Sequence, residues 1–252
     1  MAKTSIAKKE DALTTNVALD FAADAGMGME GTDKNSFAIP FLAVLQGLSP
    51  QLETVEGAKP GLFINTITNE IYKEAVVVPC AFQRRFNRWA PREQGGGYRG
   101  EYNPIDVETG NLEGLEINKE GRPTLEGDTL KDTRNHFVLV QSHTGGWSPA
   151  ILSLTSTQIK KSKRWMSLIQ GIEMRAPNGK IFTPPSFSHV YKLVTKKEEN
   201  QQGSWWGIEV STVGPIEDAE VYAKAKAFHN RVASGEVEVS QPQQEVDDDR
   251  RF

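Results

Sequence analysis

Several strands, one helix, then two more strands is the order of elements written in this 252-residue chain. That order predicts a mainly β protein of the α+β class: an OB-like, partly open antiparallel barrel with one helix between its third and fourth strands, plus a C-terminal helix. Three observations carry the expectation. Short apolar runs bounded by turn residues recur from Phe37 to Val213. One internal stretch, Thr155–Ile172, shows helical spacing instead, with Ile159, Met166, Ile169 and Ile172 joined by Trp165 and Leu168. The composition, 38% hydrophobic and 25% charged, is that of a chain able to bury a core of this size.

In chain order, residues 1–36 are rich in Ala, Gly, Asp and Thr without sustained periodicity. They read as a flexible N-terminal arm with one short helical piece at Val17–Asp24. The core is expected over 37–215. Its first run, SFAIPFLAVLQGLSPQL, is divided by Pro40 and punctuated by Gly47 and Pro50, and fits a short helix or a buried strand equally. Gly61–Ile67 is a strand, Thr68-Asn69-Glu70 a turn, and Ile71 opens a long second strand. Pro79 lacks an N–H, so that strand bends there or lies at an edge. Residues 103–134 are acidic, with glycines at 110, 114, 121 and 127, and read as a loop excursion or a loose hairpin. His136–Gln141 and Trp147–Leu154 are strands about the turn Thr144-Gly145-Gly146. Thr155 or Ser156 caps the helix. Phe187–Val194 and Ser204–Val213 are strands joined by a Lys196–Gly203 turn region. Residues 216–235 form an amphipathic helix after Pro215. Glu217 and Asp218 lie in its first turn, Val221, Ala225, Phe228 and Val232 on its inner face, and Gly235 at its stop. The polar, acidic 236–252 reads as a disordered tail.

The formal net charge of −4 excludes a uniformly basic nucleic-acid coat, but not a basic face on an acidic protein. The single cysteine, Cys80, excludes an internal disulfide framework and a cysteine-based zinc cluster. Its place at the end of a valine run marks it as a buried small hydrophobe. No signal-peptide core follows the N-terminal lysines, and the most apolar run, Ala38–Leu48, is short of the roughly 20 residues that span a bilayer. A soluble, intracellular chain is expected. Phosphate-loop, dinucleotide and nucleophile-elbow motifs are missing, and the four histidines, His136, His143, His189 and His229, are scattered. The chain therefore reads as non-enzymatic, with no cofactor and no metal. Asp128 and Asp132 holding Mg²⁺ for a nuclease is the minor alternative.

The informative stretch is Val76–Tyr102, where aromatic and basic residues interleave. In a strand, Phe82, Arg84, Phe86 and Arg88 share one face, and Arg85 and Trp89 the other. Cations beside flat rings suit an unpaired strand, because arginines track phosphates while bases stack on the rings at roughly 1–3 kcal/mol each. Between Thr155 and Lys197 nine basic residues face one acid, Glu173, whereas the acids gather in 103–134 and the tail. The nucleic-acid site expected is Arg84, Arg85, Phe86, Arg88, Trp89, Tyr98, Lys160, Lys161, Lys163, Arg164, Trp205 and Trp206. The competing reading makes the lysines of the helix an ordinary solvated face and Trp165 and Met166 core.

The layout of an OB-like core followed by an acidic tail ending Asp247-Asp248-Asp249-Arg250-Arg251-Phe252 resembles phage-encoded single-stranded DNA-binding proteins of replication and recombination. The runs IPFLAVLQGLSPQ, GLFINTITNEIY and VVVPCAFQRRFNRWAPR also look like a replication-associated protein of tailed phages. The resemblance covers about residues 37–215 and the tail. It implies coating of unwound strands in the cytoplasm of an infected bacterium. It also implies recruitment of replication or recombination proteins through Asp247, Asp248, Asp249 and Phe252, and it is compatible with a homo-oligomer. Arg250 and Arg251 depart from the usual acid-to-the-end pattern. A strand-annealing recombination protein and a phage factor binding host RNA polymerase are the alternatives.

Overall fold

The structure is a computed structural model and describes residues 23–24, 26–32, 36–201, 203–237 and 239. The chain divides into two compact units, 1–37 and 38–252. In the first, main-chain N–H groups of Met27, Met29 and Thr32 donate to the carbonyls of Asp24, Gly26 and Met29, with Gly26 and Gly28 at positive φ.

The second unit holds the named elements. In order they are β1 (Leu42–Val44), α1 (Gln51–Thr54), β2 (Phe63–Asn65), β3 (Ile71–Tyr72), β4 (Glu74–Trp89), β5 (Tyr98–Tyr102), α2 (Pro104–Thr109), β6 (Leu115–Ile117), β7 (Pro123–Leu125), β8 (Asp128–Gln141), β9 (Trp147–Thr155), α3 (Ile159–Gln170), β10 (Met174–Arg175), β11 (Ile181–Phe182), β12 (His189–Asn200), β13 (Gly203–Pro215) and α4 (Ala219–Ala233). The fold is of the class expected: mainly β and antiparallel, with helices added and sheets that do not close.

Two long strands organise it. β4 pairs with β8 along most of its length, and each changes its other neighbour midway. β4 pairs with β12 over Glu74–Val77, then with β5 over Phe86–Trp89. β8 pairs with β7 at Asp128 and Thr129, then with β9 from Thr133 onward. The switch on β4 follows from Pro79. The β12 ladder stops at Val77, two residues before Pro79, which has no N–H to give, and a register shift follows between Pro79 and Ala81. Among the five longest strands the lateral order is β9–β8–β4–β12–β13. β1, β2 and β3 form a separate small sheet, and β10 and β11 a third.

The interior has three parts. The main core brings Val77, Val138, Val140, Leu152, Leu154, Tyr191 and Leu193 of the large sheet against Leu42, Phe63 and Tyr72, and is covered by Trp165 and Ile169 of α3. On the opposite face, Val78, Phe137, Leu139 and Ile151 pack against Val221, Ala225, Phe228 and Val232 of α4. Those four helix residues are the inner face that the sequence marks. Full burial of each large apolar side chain contributes about 1.5–3 kcal/mol. α4 begins where Asp218 accepts the N–H groups of Glu220 and Val221, and Gly235 follows its end at φ 75°. Cys80 is fully buried in this layer, and burial pushes its thiol up to about 12.

Several expectations change. The 103–134 segment is folded: α2, β6, β7 and the start of β8 close a third cluster of Phe86, Val107, Leu125 and Leu130. Asn103 caps α2 and Gly110 ends it at φ 75°, so its glycines and asparagines shape turns between short elements. Lys196–Asn200 continue β12, because the pairing with β13 persists to Asn200 opposite Gly203. The run after Phe37 contributes a strand. The β10–β11 hairpin was not expected, its two-residue strands being too short to leave a period-two pattern.

Candidate functional site

The β4 arginines lie where strand alternation places them, but each faces a carboxylate. Arg84 pairs with Glu108 at 2.6 Å and Asp132 at 2.8 Å, and Arg85 with Glu101 at 3.0 Å. Arg88 donates to Asp128 at 2.5 Å and to Glu126 at 2.8 Å, while Arg99 reaches the same Asp128 at 3.2 Å. Asp132 is shared with Arg134 at 3.1 Å. Burial acts to raise its carboxyl, yet hydrogen bonds from Arg84 and Arg134 hold it below its ordinary range. These carboxylates come from β5, the 103–134 segment and β8, so the acidic excursion neutralises the basic strand. Asp128 and Asp132 are thereby committed to arginines, and among the described residues no cluster of His, Cys, Asp and Glu able to hold a metal ion is found.

The rings of this strand are covered as well. Phe86 is 6% exposed inside the third cluster, beneath Val107 and Leu125. Trp89 is 8% exposed and meets Tyr98 edge-on at 5.5 Å between ring centres. Stacking of bases on an open Phe86–Trp89 platform is therefore corrected: the folded excursion takes up the apolar surface that an unpaired strand would need.

The helix cations are different. Lys161 pairs with Glu198 at 2.6 Å. Lys160, Lys163 and Arg164, spaced i, i+3 and i+4 on one face of α3, are exposed and meet no carboxylate among the described residues. Trp165, on the other side of the helix, is fully buried and stacks on His136 at 4.6 Å, 17° between planes. His136 is hydrogen-bonded to Ser162 at 2.8 Å, and burial, aided by the charge of Arg134, lowers it to about 3. The β10–β11 hairpin follows the helix and carries Arg175 and Lys180 beside exposed Ile181 and Phe182.

Trp205 and Trp206 are both half-buried. Trp205 donates its indole N–H to Glu198 at 3.1 Å. Trp206 lies over Gly61, where a Cβ would meet its ring at 2.6 Å. Its main chain is held by Gln46: the Trp206 N–H donates to Oε1 at 2.8 Å, and Nε2 donates back to the Trp206 carbonyl at 2.9 Å. Gln158 likewise accepts the Ile208 N–H at 3.0 Å. Phe41 bridges Ile151 in parallel on the β9 side. Two glutamine amides thus bond to main-chain groups of β13, and the 40–46 segment runs between β9 and β13.

Along that seam lies a cavity of about 420 Å³, lined by Trp89, Lys131, Thr133, Trp206 and Asn87 among others. Asn87 is 2% exposed and its Oδ1 has no hydrogen-bond partner. Gln46, Asn87 and Gln158 were missed from sequence. Alternation along β4 already puts Asn87 on the face of Arg85 and Trp89, but an uncharged amide among three arginines draws no notice.

The structure thus keeps Lys160, Lys163 and Arg164 together and separates them from Arg84, Arg85, Phe86 and Arg88. The tail residues Asp247, Asp248, Asp249 and Phe252 lie outside the described residues, as do most of the N-terminal arm and residues 17–22 of its Val17–Asp24 piece. No helix among the described residues is long and apolar enough to cross a membrane. The sequence model of one family, described as Pam3 phage gp34-like protein, matches residues 8–238. No curated protein and no solved structure matches the chain.

Proposed function

Because the chain belongs to the Pam3 phage gp34-like protein family, we propose that this phage protein is a non-enzymatic single-stranded DNA-binding protein that holds unwound strands during replication or recombination. The observation that carries the reading is the α3 face, with three exposed cations at i, i+3 and i+4 and no carboxylate to neutralise them among the described residues. A solvated helix face ordinarily intersperses signs; one left cationic on a protein of net charge −4 suits a polyanion. Arg175, Lys180 and the exposed Phe182 of the adjoining hairpin extend it with a ring available for stacking.

The strand order β9–β8–β4–β12–β13, with α3 between β9 and β12, supports an OB-like architecture for the core. On this reading the β4 arginines are clamps of the fold, and phosphates are met by the helix and hairpin. The tail residues Asp247, Asp248, Asp249 and Phe252 recruit replication proteins, and the protein works in the cytoplasm of the infected host.

The test is fluorescence anisotropy of a labelled oligo-dT against a duplex of equal length, with wild type and the variant Lys160→Glu/Lys163→Glu/Arg164→Glu. The exposed sites leave circular dichroism unchanged. Wild type binds the single strand more tightly than the duplex, and the variant weakens at least tenfold. Equal affinity for duplex, or an unaltered variant, contradicts the proposal.

A further inference from the structure

The geometry points to the β10–β11 hairpin as a wedge seated where paired DNA opens into single strands, an inference that rests on the single-strand reading and names the form of its substrate. The hairpin is built to hold its shape. Pro177 and Asn178 take the central positions of its turn, and Gly179 follows at φ +80°. The Gly179 N–H donates to the Ala176 carbonyl at 2.8 Å, and the Ala176 N–H to the Lys180 carbonyl at 2.9 Å. That is a three-residue hairpin loop closed by a left-handed glycine. The Lys180 N–H donates to Asn178 Oδ1 at 3.0 Å, and the Arg175 guanidinium to the Gly179 carbonyl at 3.1 Å. A tip fixed in this way loses little conformational freedom on binding.

The decisive feature is that both faces of this ribbon are apolar and open. Met174 pairs with Phe182, and Arg175 with Ile181, so alternation puts Met174 and Phe182 on one face and Ile181 on the other. Phe182 is 41% exposed and Ile181 52%. A hairpin lying on its own protein buries one face; this one keeps apolar side chains on both, which suits insertion between two flat apolar surfaces. Met174–Phe182 carries two cations, Arg175 and Lys180, and no acid, so the surfaces that fit are nucleobases rather than a neutral protein cleft. Met, Ile and Phe are side-chain types that enter between base steps. A lone strand covers one face and leaves the other in water. Inside a duplex, entry breaks a stack. At a fork the last base pair already has a bare plane for Ile181, and the first unpaired base lies on Phe182. Only three residues separate β10 from the end of α3, whose cations Lys160, Lys163 and Arg164 take the phosphates of the unpaired arm.

The test uses the full chain and three probes: a forked duplex with oligo-dT arms, one arm alone, and the same duplex with blunt ends. The last base pair of the fork carries 2-aminopurine, which brightens when Ile181 replaces the base stacked on it. Wild type binds the fork at least fivefold more tightly than the arm or the blunt duplex, and the probe brightens. Ile181→Ser brings fork affinity down to that of the single arm and abolishes the brightening. Phe182→Ala weakens the fork and the arm together by several-fold, and Phe182→Trp, which keeps a ring, restores both. Circular dichroism reports that these exposed substitutions leave the fold in place. Wild type that binds the arm but gains nothing from the fork, or an Ile181→Ser variant with full fork preference, overturns the wedge and leaves the single-strand reading. A chain that binds none of the three probes overturns both.

Discussion

Asp128 shows what a single residue decides here. Its side chain is fully buried between Arg88, 14% exposed, and Arg99, 45% exposed. Arg88→Leu leaves that carboxylate with one half-solvated partner, and the expected loss is about 3–5 kcal/mol by urea unfolding. The double variant Arg88→Leu/Asp128→Leu recovers most of it, because no lone charge stays buried. His136 gives a pH signature. Its folded value, about 3, lies below the ordinary 6.5, so the unfolded chain binds the proton first. Stability is complete above about pH 6.5 and falls as pH drops toward 3, by at most about 1.4 kcal/mol per pH unit from this group. Unfolding measured at pH 6.5 and pH 5, above most carboxylate titration, shows the slope. His136→Gln removes most of it, with His189, also lowered by burial, leaving a remainder of the same sign. Neither partner set was legible in the sequence. Arg88 could be placed on a face by alternation, but its acids lie about forty residues away, and only the β4–β8 register brings them opposite.

At the scale of elements, local patterns were readable and nonlocal ones were not. The α4 stripe Val221, Ala225, Phe228 and Val232 was legible because 3.6-residue spacing is a property of one segment. The strand around His136 and the turn Thr144-Gly145-Gly146 were legible for the same reason. The fold of 103–134 was hidden, since its elements are three to six residues long and become stable only by covering Phe86 and Leu130. The seam between β9 and β13 was hidden too, because it depends on Gln46 reaching Trp206 across 160 residues. That seam makes a prediction of its own. Gly61 holds φ +88° against the Trp206 ring, and Gly61→Ala places a Cβ 2.6 Å from it. The expected cost is about 2 kcal/mol or more. It is read as a lower melting temperature with a red-shifted tryptophan emission as Trp206 leaves its place.

For the whole molecule, segregation of charge was visible in sequence, but its consequence had to be divided. One set of cations, on β4, is met by acids of β5 and of the 103–134 segment. The other set, on α3 and the hairpin, stays open to solvent. The central claim is that this second set neutralises phosphates. It is tested most directly by the salt dependence of oligo-dT affinity. Each phosphate contact contributes about −0.7 to the slope of log K against log salt on single strands. Wild type is expected to show a steep negative slope. The Lys160→Glu/Lys163→Glu/Arg164→Glu variant, which leaves three phosphates without a cation, is expected to show a slope shallower by about 2. A slope near zero in wild type, or the same slope in both proteins, contradicts the account.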